Sequence, residues 1–257
     1  MSGPGDCRRH FPGFFTGFAA ATAFFTTFPV GRSAGSRRLA DAAWAFPLVG
    51  AGIGAVAGLA FLFGQVVGLG DWSAALLSVL SGIALTGALH EDGLADTADG
   101  FLGGRDREAK LAIMRDSRLG AFGVLAIVLS VLLRVASLAS IGDAIHVGLA
   151  LIAAHAVSRG VLPVAMWAMS PARADGLGAT AGTPRGLNVL GAATIGILIG
   201  LAALGPPRGA IAICLTGMMV LAIVLFARRQ IGGYTGDVLG AFQQIGEIVM
   251  LLAASAR

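Results

Sequence analysis

The sequence predicts an all-α fold, a polytopic membrane helical bundle of about seven spanning helices plus an N-terminal interfacial or re-entrant helix. Of the 257 residues, 56% are hydrophobic and only 12% are charged, and the mean hydropathy is +0.83. Soluble domains carry roughly a quarter charged residues, so this chain has too little polar surface to cover itself in water. The 39 glycines favour close helix packing in a bilayer. We treat residues 1–257 as one integral membrane domain.

The first apolar run covers residues 11–30 and follows Arg8 and Arg9. Arginines before an apolar stretch also occur in signal peptides, but no small-residue cleavage site is obvious here. Pro12 and Gly13 interrupt the run early. Because both of its flanks are basic, we expect an interfacial or re-entrant helix rather than a full span.

Seven later runs are long enough to cross a bilayer, which takes about 20 mostly apolar residues. They are residues 44–69, 72–91, 120–141, 145–168, 187–204, 209–227 and 238–255. Tight turns alternate with longer polar loops between them, so all the tight turns are expected at one membrane face. The polar loops, expected at the other face, are residues 31–43, 92–119, 169–186 and 228–237.

Basic residues separate the two faces. Twelve lie in the polar loops, and only Arg208 lies in a tight turn. The twelve are Arg32, Arg37, Arg38, Arg105, Arg107, Lys110, Arg115, Arg118, Arg173, Arg185, Arg228 and Arg229. By the positive-inside rule, we predict a multi-pass protein of the bacterial cell inner (cytoplasmic) membrane with its active face in the cytoplasm.

The formal net charge of +4 follows from these loops, so we expect the lipid bilayer and no nucleic acid as a partner. Cys7 and Cys214 lie far apart in the sequence, which indicates neither a disulfide framework nor a zinc site.

An acid-rich segment, residues 90–100, carries the strongest chemical signal. Asp92, Asp96 and Asp99 are spaced i, i+4, i+7 and would share one helix face. A divalent cation such as Mg²⁺ or Mn²⁺ would relieve the repulsion between them. The alternative is a solvated helix end with ordinary capping. Because charges are costly near the apolar slab, we favour a metal site.

A compact basic motif follows at residues 115–120. Arg115 and Arg118 have the guanidinium forks that suit phosphate oxygens, whereas Arg105, Arg107 and Lys110 are equally well explained as membrane anchors. Metal-binding acids beside phosphate-binding arginines indicate phosphoryl-group chemistry.

Several further polar residues have two interpretations each. Asp237 is either a helix N-cap or a site residue, and Asp175 lies either in an ordinary turn or in a substrate-facing loop. His90 adjoins the acids as a supporting group or a membrane-edge residue. Within the spans, Arg134 and Glu247 are expected to pair with each other.

Residues 90–100 and 113–120 resemble the motifs of the cobalamin synthase (adenosylcobinamide-GDP ribazoletransferase) family. Residues 46–50, Ser158-Arg159 and residues 235–241 match as well, so the similarity covers nearly the whole chain.

The resemblance implies a Mg²⁺-dependent transfer that joins adenosylcobinamide-GDP to α-ribazole, or its 5′-phosphate, and releases GMP. It implies that Mg²⁺ is held by Asp92, Asp96 and Asp99, while Arg115 and Arg118 neutralise developing charge. Asp116 or Asp237 would accept the hydroxyl proton. His90, Arg159 and Asp175 are candidate substrate contacts.

Two other functions remain open. A CDP-alcohol phosphotransferase also places aspartates at a membrane edge, but Asp96 stands where that family's motif has an arginine. A cation transporter would place its acids near mid-membrane rather than at one face. The sequence leaves open whether the chain forms an oligomer.

Overall fold

The structure is a computed structural model that describes residues 14–30 and 39–256, and over these ranges the chain is helical and has no strand. Predictions about Cys7, Arg8, Arg9 and residues 31–38 lie outside the described residues. A 3-10 helix covers Leu39–Ala45. The α-helices are α1 (Phe14–Phe25), α2 (Phe46–Val66), α3 (Asp71–Thr86), α4 (Leu89–Gly103), α5 (Arg107–Ile113), α6 (Ala121–Ile141), α7 (Ala144–Gly160), α8 (Leu162–Ala168), α9 (Leu177–Thr180), α10 (Gly186–Leu204), α11 (Pro206–Ile231) and α12 (Gly236–Ser255).

Spanning segments form where the hydropathy predicts them. Among the described residues, six stretches are long and apolar enough to cross a membrane, or seven if the bent pair α3–α4 is counted as one span. Two of the six join neighbouring elements, Leu39–Val66 and Ala144–Ala168. The predicted N-terminal element is confirmed as a short apolar helix, because α1 has 12 residues and is too short to cross alone.

The predicted span over residues 72–91 was wrong at its end. Helix α3 stops at Thr86, and α4 leaves it at 90°. Gly87 and Ala88 at the elbow both adopt left-handed backbone angles, with φ of 63° and 58°. Two such residues in succession cannot continue a right-handed helix. The acid-rich segment therefore forms a separate, differently oriented helix.

The tight turns and the polar loops lie at opposite ends of the bundle. At one end, the Gln65 amide donates to Asp71 and to the carbonyl of Gly142, which brings two tight turns together. At the other end, Arg107 donates to the carbonyls of Ile231 and Ala172 at 3.0 and 2.5 Å and ties three polar loops together. The predicted separation of the two kinds of connection is confirmed.

A stripe of glycines holds α2 against α7. Gly50, Gly54 and Gly58 follow one another at four-residue intervals along α2. A Cβ atom on Gly54 would overlap the backbone of Leu151, and one on Gly58 would lie 2.9 Å from the Cα atom of Gly148. Spacing of small residues at every fourth position lets two membrane helices approach to backbone contact.

Two apolar clusters form the core. One lies at the polar-loop end and includes Phe25, Phe46 and Phe242. The other lies toward the tight turns and includes Phe61 and Leu138. Helices α7 and α12 contribute to the interior more than the peripheral helices α10 and α11 do.

Candidate active site

Helix α4 and the start of α12 meet at two glycines, which brings their acidic residues together. A Cβ atom on Gly93 would lie 2.8 Å from the carbonyl oxygen of Asp237 and 3.2 Å from the Cα atom of Gly240. Since no side chain separates the helices here, the acid face of α4 lies beside the first turn of α12. The structure thus groups Asp237 with Asp92 and Asp96.

The three predicted metal ligands differ in their surroundings. Asp92 is exposed, Asp96 is half-buried and Asp99 is buried. The negative charges of Asp92 and Asp237 both act on the Asp96 carboxylate, and the charge of Arg173 offsets them in part. Asp96 therefore lies at the electrostatic centre of the acidic group.

Asp99 binds backbone rather than open space. Its two carboxylate oxygens accept hydrogen bonds from the amides of Gly120 and Gly123 at 2.7 and 2.8 Å. Gly120 is the N-cap residue of α6 and has no side chain with which to cap it. Asp99 therefore satisfies the free amides at the start of α6, where a negative charge is also favourable. Its role as a metal ligand stays a prediction.

Asp237 occupies the first turn of α12 but does not cap it. The N-cap is Thr235, whose hydroxyl accepts a hydrogen bond from the amide of Val238. The Asp237 carboxylate accepts from Thr235 at 3.0 Å and from Arg173 at 3.2 Å. The structure favours the site interpretation over the cap, because another residue already does the capping.

The basic motif of residues 115–120 forms exposed ion pairs. Arg115 donates to both oxygens of Asp175 at 2.6 and 2.7 Å, and this pair joins two polar loops. Arg118 pairs with Asp116 at 2.6 Å. The hydrogen bonds from Arg118 lower the pKa of Asp116 to about 2. A carboxylate held by its neighbour in this way is a weak base, and Asp116 does not line the cavity that Asp237 lines, so the geometry favours Asp237 as proton acceptor.

A buried polar network lies behind the acidic face. Arg134 donates to Glu91 at 3.0 Å and to Glu247 at 3.2 Å, so the predicted pairing of Arg134 with Glu247 is confirmed. Gln244 also donates to Glu91, at 3.2 Å. The Glu91 side chain thus points into the bundle, away from the face that carries Asp92. Buried charges need partners of this kind.

Arg159 lies deeper than a substrate contact would. It is 1% exposed, pairs with His155 at 2.9 Å and places its guanidinium 5.5 Å from the ring centre of Phe25. Phe25 also contacts His90, whose ring is nearly parallel to it at 16° and 5.7 Å away. Of the three candidate substrate contacts, His90 lines the adjoining cavity, whereas Arg159 and Asp175 do not.

This cavity has a volume of about 310 Å³, which is at the lower end of small-molecule pockets. Four polar side chains line it, those of His90, Asp92, Arg173 and Asp237. The rest of the lining is apolar side chain or glycine and comes from Phe24, Phe25, Leu39, Phe46, Leu89, Gly93, Leu162, Met166, Gly176, Gly178, Ala181, Gly236, Leu239 and Gly240.

Two residues of the site were missed in the sequence. Arg173 was counted only as one basic loop residue, yet its side chain is 15% exposed and its Nη1 atom has no hydrogen-bond partner among the described residues. Its position two residues before Asp175, a candidate substrate contact, was the one sequence feature that could have indicated a place in the site. Phe25 lies in an apolar run, and nothing in its local sequence distinguishes it from the neighbouring phenylalanines.

The site suits a hydrated hard cation better than a closed metal cage. Within residues 14–30 and 39–256, no three His, Cys, Asp or Glu side chains converge on one point as a preformed metal site. Mg²⁺ typically keeps several waters and binds through one or two carboxylates together with substrate phosphates. Asp92 and Asp96 fit that donor set, since neither carboxylate forms an ion pair within residues 14–30 and 39–256.

Comparisons with known proteins identify the family. A family model described as cobalamin-5-phosphate synthase (CobS) matches residues 17–255. A Bradyrhizobium diazoefficiens protein named adenosylcobinamide-GDP ribazoletransferase is 48% identical over 92% of this chain and 92% of its own. Proteins of the same name from Mesorhizobium japonicum and Shewanella baltica are 43% and 41% identical, covering 92% and 90% of each chain. No solved structure matches. The chain belongs to the cobalamin-5-phosphate synthase family.

Proposed function

We propose that this protein is an adenosylcobinamide-GDP ribazoletransferase, which joins the cobinamide phosphate of adenosylcobinamide-GDP to α-ribazole or its 5′-phosphate. Family membership over almost the whole chain supports the reaction. The observation that carries the assignment to this site is the meeting of Asp92, Asp237 and Arg173 at one cavity, with Asp96 within electrostatic reach of all three. These are the groups that phosphoryl transfer needs for charge neutralisation and proton removal.

In this reaction a secondary ribose hydroxyl oxygen of the acceptor, one that is free both in α-ribazole and in its 5′-phosphate, forms a bond to the phosphorus next to cobinamide. The bond from that phosphorus to the bridging oxygen of the diphosphate breaks, and GMP departs with that oxygen. We assign the hydroxyl proton to Asp237, which lines the cavity and whose position is fixed by Thr235 and Arg173.

Arg173 is the nearest cation to this centre. Of its three guanidinium nitrogens, Nη2 donates to Asp237 and Nη1 is buried without a partner among the described residues. A buried unpaired donor favours an anionic ligand, and a guanidinium binds phosphate oxygens well. Arg115 and Arg118 are exposed and would reach the departing GMP by exchanging their present carboxylate partners.

We propose Mg²⁺ as the cofactor, held by Asp92 and Asp96 with Asp99 as the third predicted ligand. A bound Mg²⁺ would neutralise charge on the diphosphate oxygens. Asp99 also has a structural role. It accepts hydrogen bonds from the amides of Gly120 and Gly123, and these bonds hold α4 against the start of α6.

The test is the release of GMP from adenosylcobinamide-GDP by membranes containing the protein, with and without α-ribazole and with Mg²⁺ supplied. We expect release that depends on α-ribazole and stops on addition of a chelator. Release no greater than that of membranes lacking the protein would reject the function.

The matched variants are Asp96→Asn and Asp106→Asn. Asp96→Asn removes a charge at the centre of the site and should reduce turnover at least about 10²-fold, in line with the loss of a charge-stabilising group. Asp106 lies on the same face but caps α5, a role that asparagine fills equally well. Near-normal turnover in Asp96→Asn would reject the metal role while leaving the reaction itself in place.

A further inference from the structure

The cavity beside the acidic group has two chemically distinct sides. Asp92, Asp237 and Arg173 line it from α4, α12 and the loop after α8. Phe25, Phe46, Leu162 and Met166 belong to α1, α2 and α8 and give it an apolar side. A ligand that fills it must therefore present one apolar part and one polar part, and the polar part must meet the groups assigned to catalysis.

His90 points to the kind of apolar part that this cavity holds. It is 3% exposed, lines the cavity and has no hydrogen-bond partner for Nε2 among the described residues. Leaving a buried polar atom unpaired costs roughly 1–3 kcal/mol, so such an atom commonly finds its partner in a ligand. The ring of His90 is stacked on Phe25, which together with Phe46 makes this side of the cavity aromatic.

We infer that this cavity binds the aromatic base of the ribazole acceptor, with His90 Nε2 as its hydrogen-bond partner. The inference rests on the proposed function for the identity of the acceptor. A benzimidazole base is flat and largely apolar, and after attachment to ribose it keeps one free ring nitrogen. His90 Nε2 has no partner among the described residues and its ring is stacked on Phe25, so the aromatic side of the cavity offers one hydrogen-bonding nitrogen where the base has one. The buried charged groups near His90, among them Arg159 and Glu247, do not line the cavity. The attached ribose would extend toward Asp237.

The other substrate does not fit as well. A corrin macrocycle is several times larger than a cavity of about 310 Å³, which suits a single nucleoside. Guanine is small enough, but its edge carries several donors and acceptors. Asp92, Asp237 and Arg173 could pair with these groups only by giving up the roles assigned to them in catalysis. Against the apolar side, which offers one histidine, most of the groups would stay unpaired, and a site discriminates strongly against such a ligand.

The experiment compares three variants of the full-length protein in lipid nanodiscs. His90→Phe keeps the stacked ring and removes the nitrogen, and Phe25→Leu removes the stacking partner. Phe61→Leu is the control, because Phe61 is equally buried but lies in the other apolar cluster. Binding of α-ribazole and of adenosylcobinamide-GDP is measured separately by equilibrium dialysis, and KM for each substrate is measured by GMP release.

We expect His90→Phe and Phe25→Leu to weaken α-ribazole binding about tenfold or more, with adenosylcobinamide-GDP affected by less than about twofold. Phe61→Leu should change neither. Guanosine should not displace α-ribazole from the wild-type protein. Variants that weaken adenosylcobinamide-GDP instead, or displacement by guanosine, would overturn the assignment of the base.

Two further results separate this inference from the proposed function. Cobalamin formation with unchanged α-ribazole affinity in both cavity variants rejects the base site and leaves the function intact. Binding of α-ribazole that depends on Phe25, without any GMP release, rejects the function and keeps the base site. If a variant does not fold, photolabelling of the wild-type protein with an azidobenzimidazole nucleoside decides. In this photolabelling experiment the label is expected on peptides that contain His90, Leu162 or Met166, which line the cavity. Labelling confined to other peptides would contradict the inference.

Discussion

At the scale of single residues, neighbours in the acid-rich segment have opposite environments. Asp92 faces the cavity, whereas Glu91 is buried against Arg134 and Gln244. Because successive helix positions are rotated by about 100°, the side chain of one residue can lie in the bundle interior while that of the next residue faces the site. Further along the same helix, Asp99 accepts hydrogen bonds from backbone amides of α6. Four acids within nine positions therefore do not perform one task.

Asp99 gives the clearest prediction at this scale. Asp99→Ala removes the acceptors for the amides of Gly120 and Gly123 and should lower the free energy of unfolding by about 1–2 kcal/mol, as the loss of a helix cap does. Chemical denaturation in detergent, followed by circular dichroism, measures it. Asp96→Asn should show no comparable loss of stability. An Asp99→Ala protein that is inactive but as stable as the wild type would assign Asp99 to the metal alone.

At the scale of elements, the contact between α2 and α7 depends on the absence of side chains. Gly54 lies against the backbone of Leu151, whereas Gly52, two positions earlier, has open space where a Cβ atom would be. The two positions carry the same residue in the same helix, but they lie on different faces of that helix. Their comparison tests whether the packing or merely the glycine content is needed.

Gly54→Leu should therefore separate α2 from α7 and cost about 1–3 kcal/mol or more of unfolding free energy, as overpacking does. Gly52→Leu should be close to neutral, because its side chain would extend away from the helix contact. The measurement is the denaturation midpoint of the two variants in the same detergent. Equal loss in both would mean that the glycine stripe is not the reason for the close approach.

The elbow between α3 and α4 is the other element-scale feature that determines the site. Gly87 is one of two successive residues in the left-handed region. The amide of Thr27 donates to the carbonyl of Leu85 at 2.8 Å, which fixes the end of α1 beside the elbow. The bend and this contact together bring Phe25 next to His90. A straight span would have placed His90 elsewhere.

At the scale of the whole molecule, ionised groups link three helices in the interior. Arg134 of α6 pairs with Glu91 of α4 and Glu247 of α12, and all three side chains are less than 10% exposed. Removing one partner of a buried ion pair destabilises the fold strongly, because the other charge is left buried and unpaired. A shift of α4 along α12 would break these pairs, so the network holds the two helices in register.

Arg134→Met should leave two buried carboxylates without their cation and cost about 3–5 kcal/mol of unfolding free energy. Adding Glu91→Gln and Glu247→Gln to that variant removes the unpaired charges and should restore a large part of the loss. Thermal unfolding of the single and triple variants tests both statements. A triple variant less stable than Arg134→Met would contradict the account.

The orientation of the whole bundle in the membrane, with the polar loops in the cytoplasm, is a prediction that cysteine labelling can test. In a variant without native cysteines, Ser117→Cys lies on the polar-loop face and Ser73→Cys at the tight-turn end, and both serines are exposed. If the polar loops are cytoplasmic, as the basic residues indicate, a membrane-impermeant maleimide should label Ser73→Cys but not Ser117→Cys in intact cells. The reverse pattern would place the site on the outer face.

The sequence by itself determined the membrane class, the order of the apolar segments and the separation of tight turns from polar loops. These follow from local composition and segment length, which need no knowledge of partners. It also indicated the acids of the site, because aligned carboxylates at a membrane edge are costly.

Only the tertiary structure decided which acids face the cavity and which hold the fold. It ended α3 at Thr86, gave Asp99 the amides of α6 and placed Arg173 on Asp237. Each of these contacts joins residues 21 or more positions apart, or depends on two successive backbone angles. Short-range spacing carries no information about either, since both are set by how helices pack.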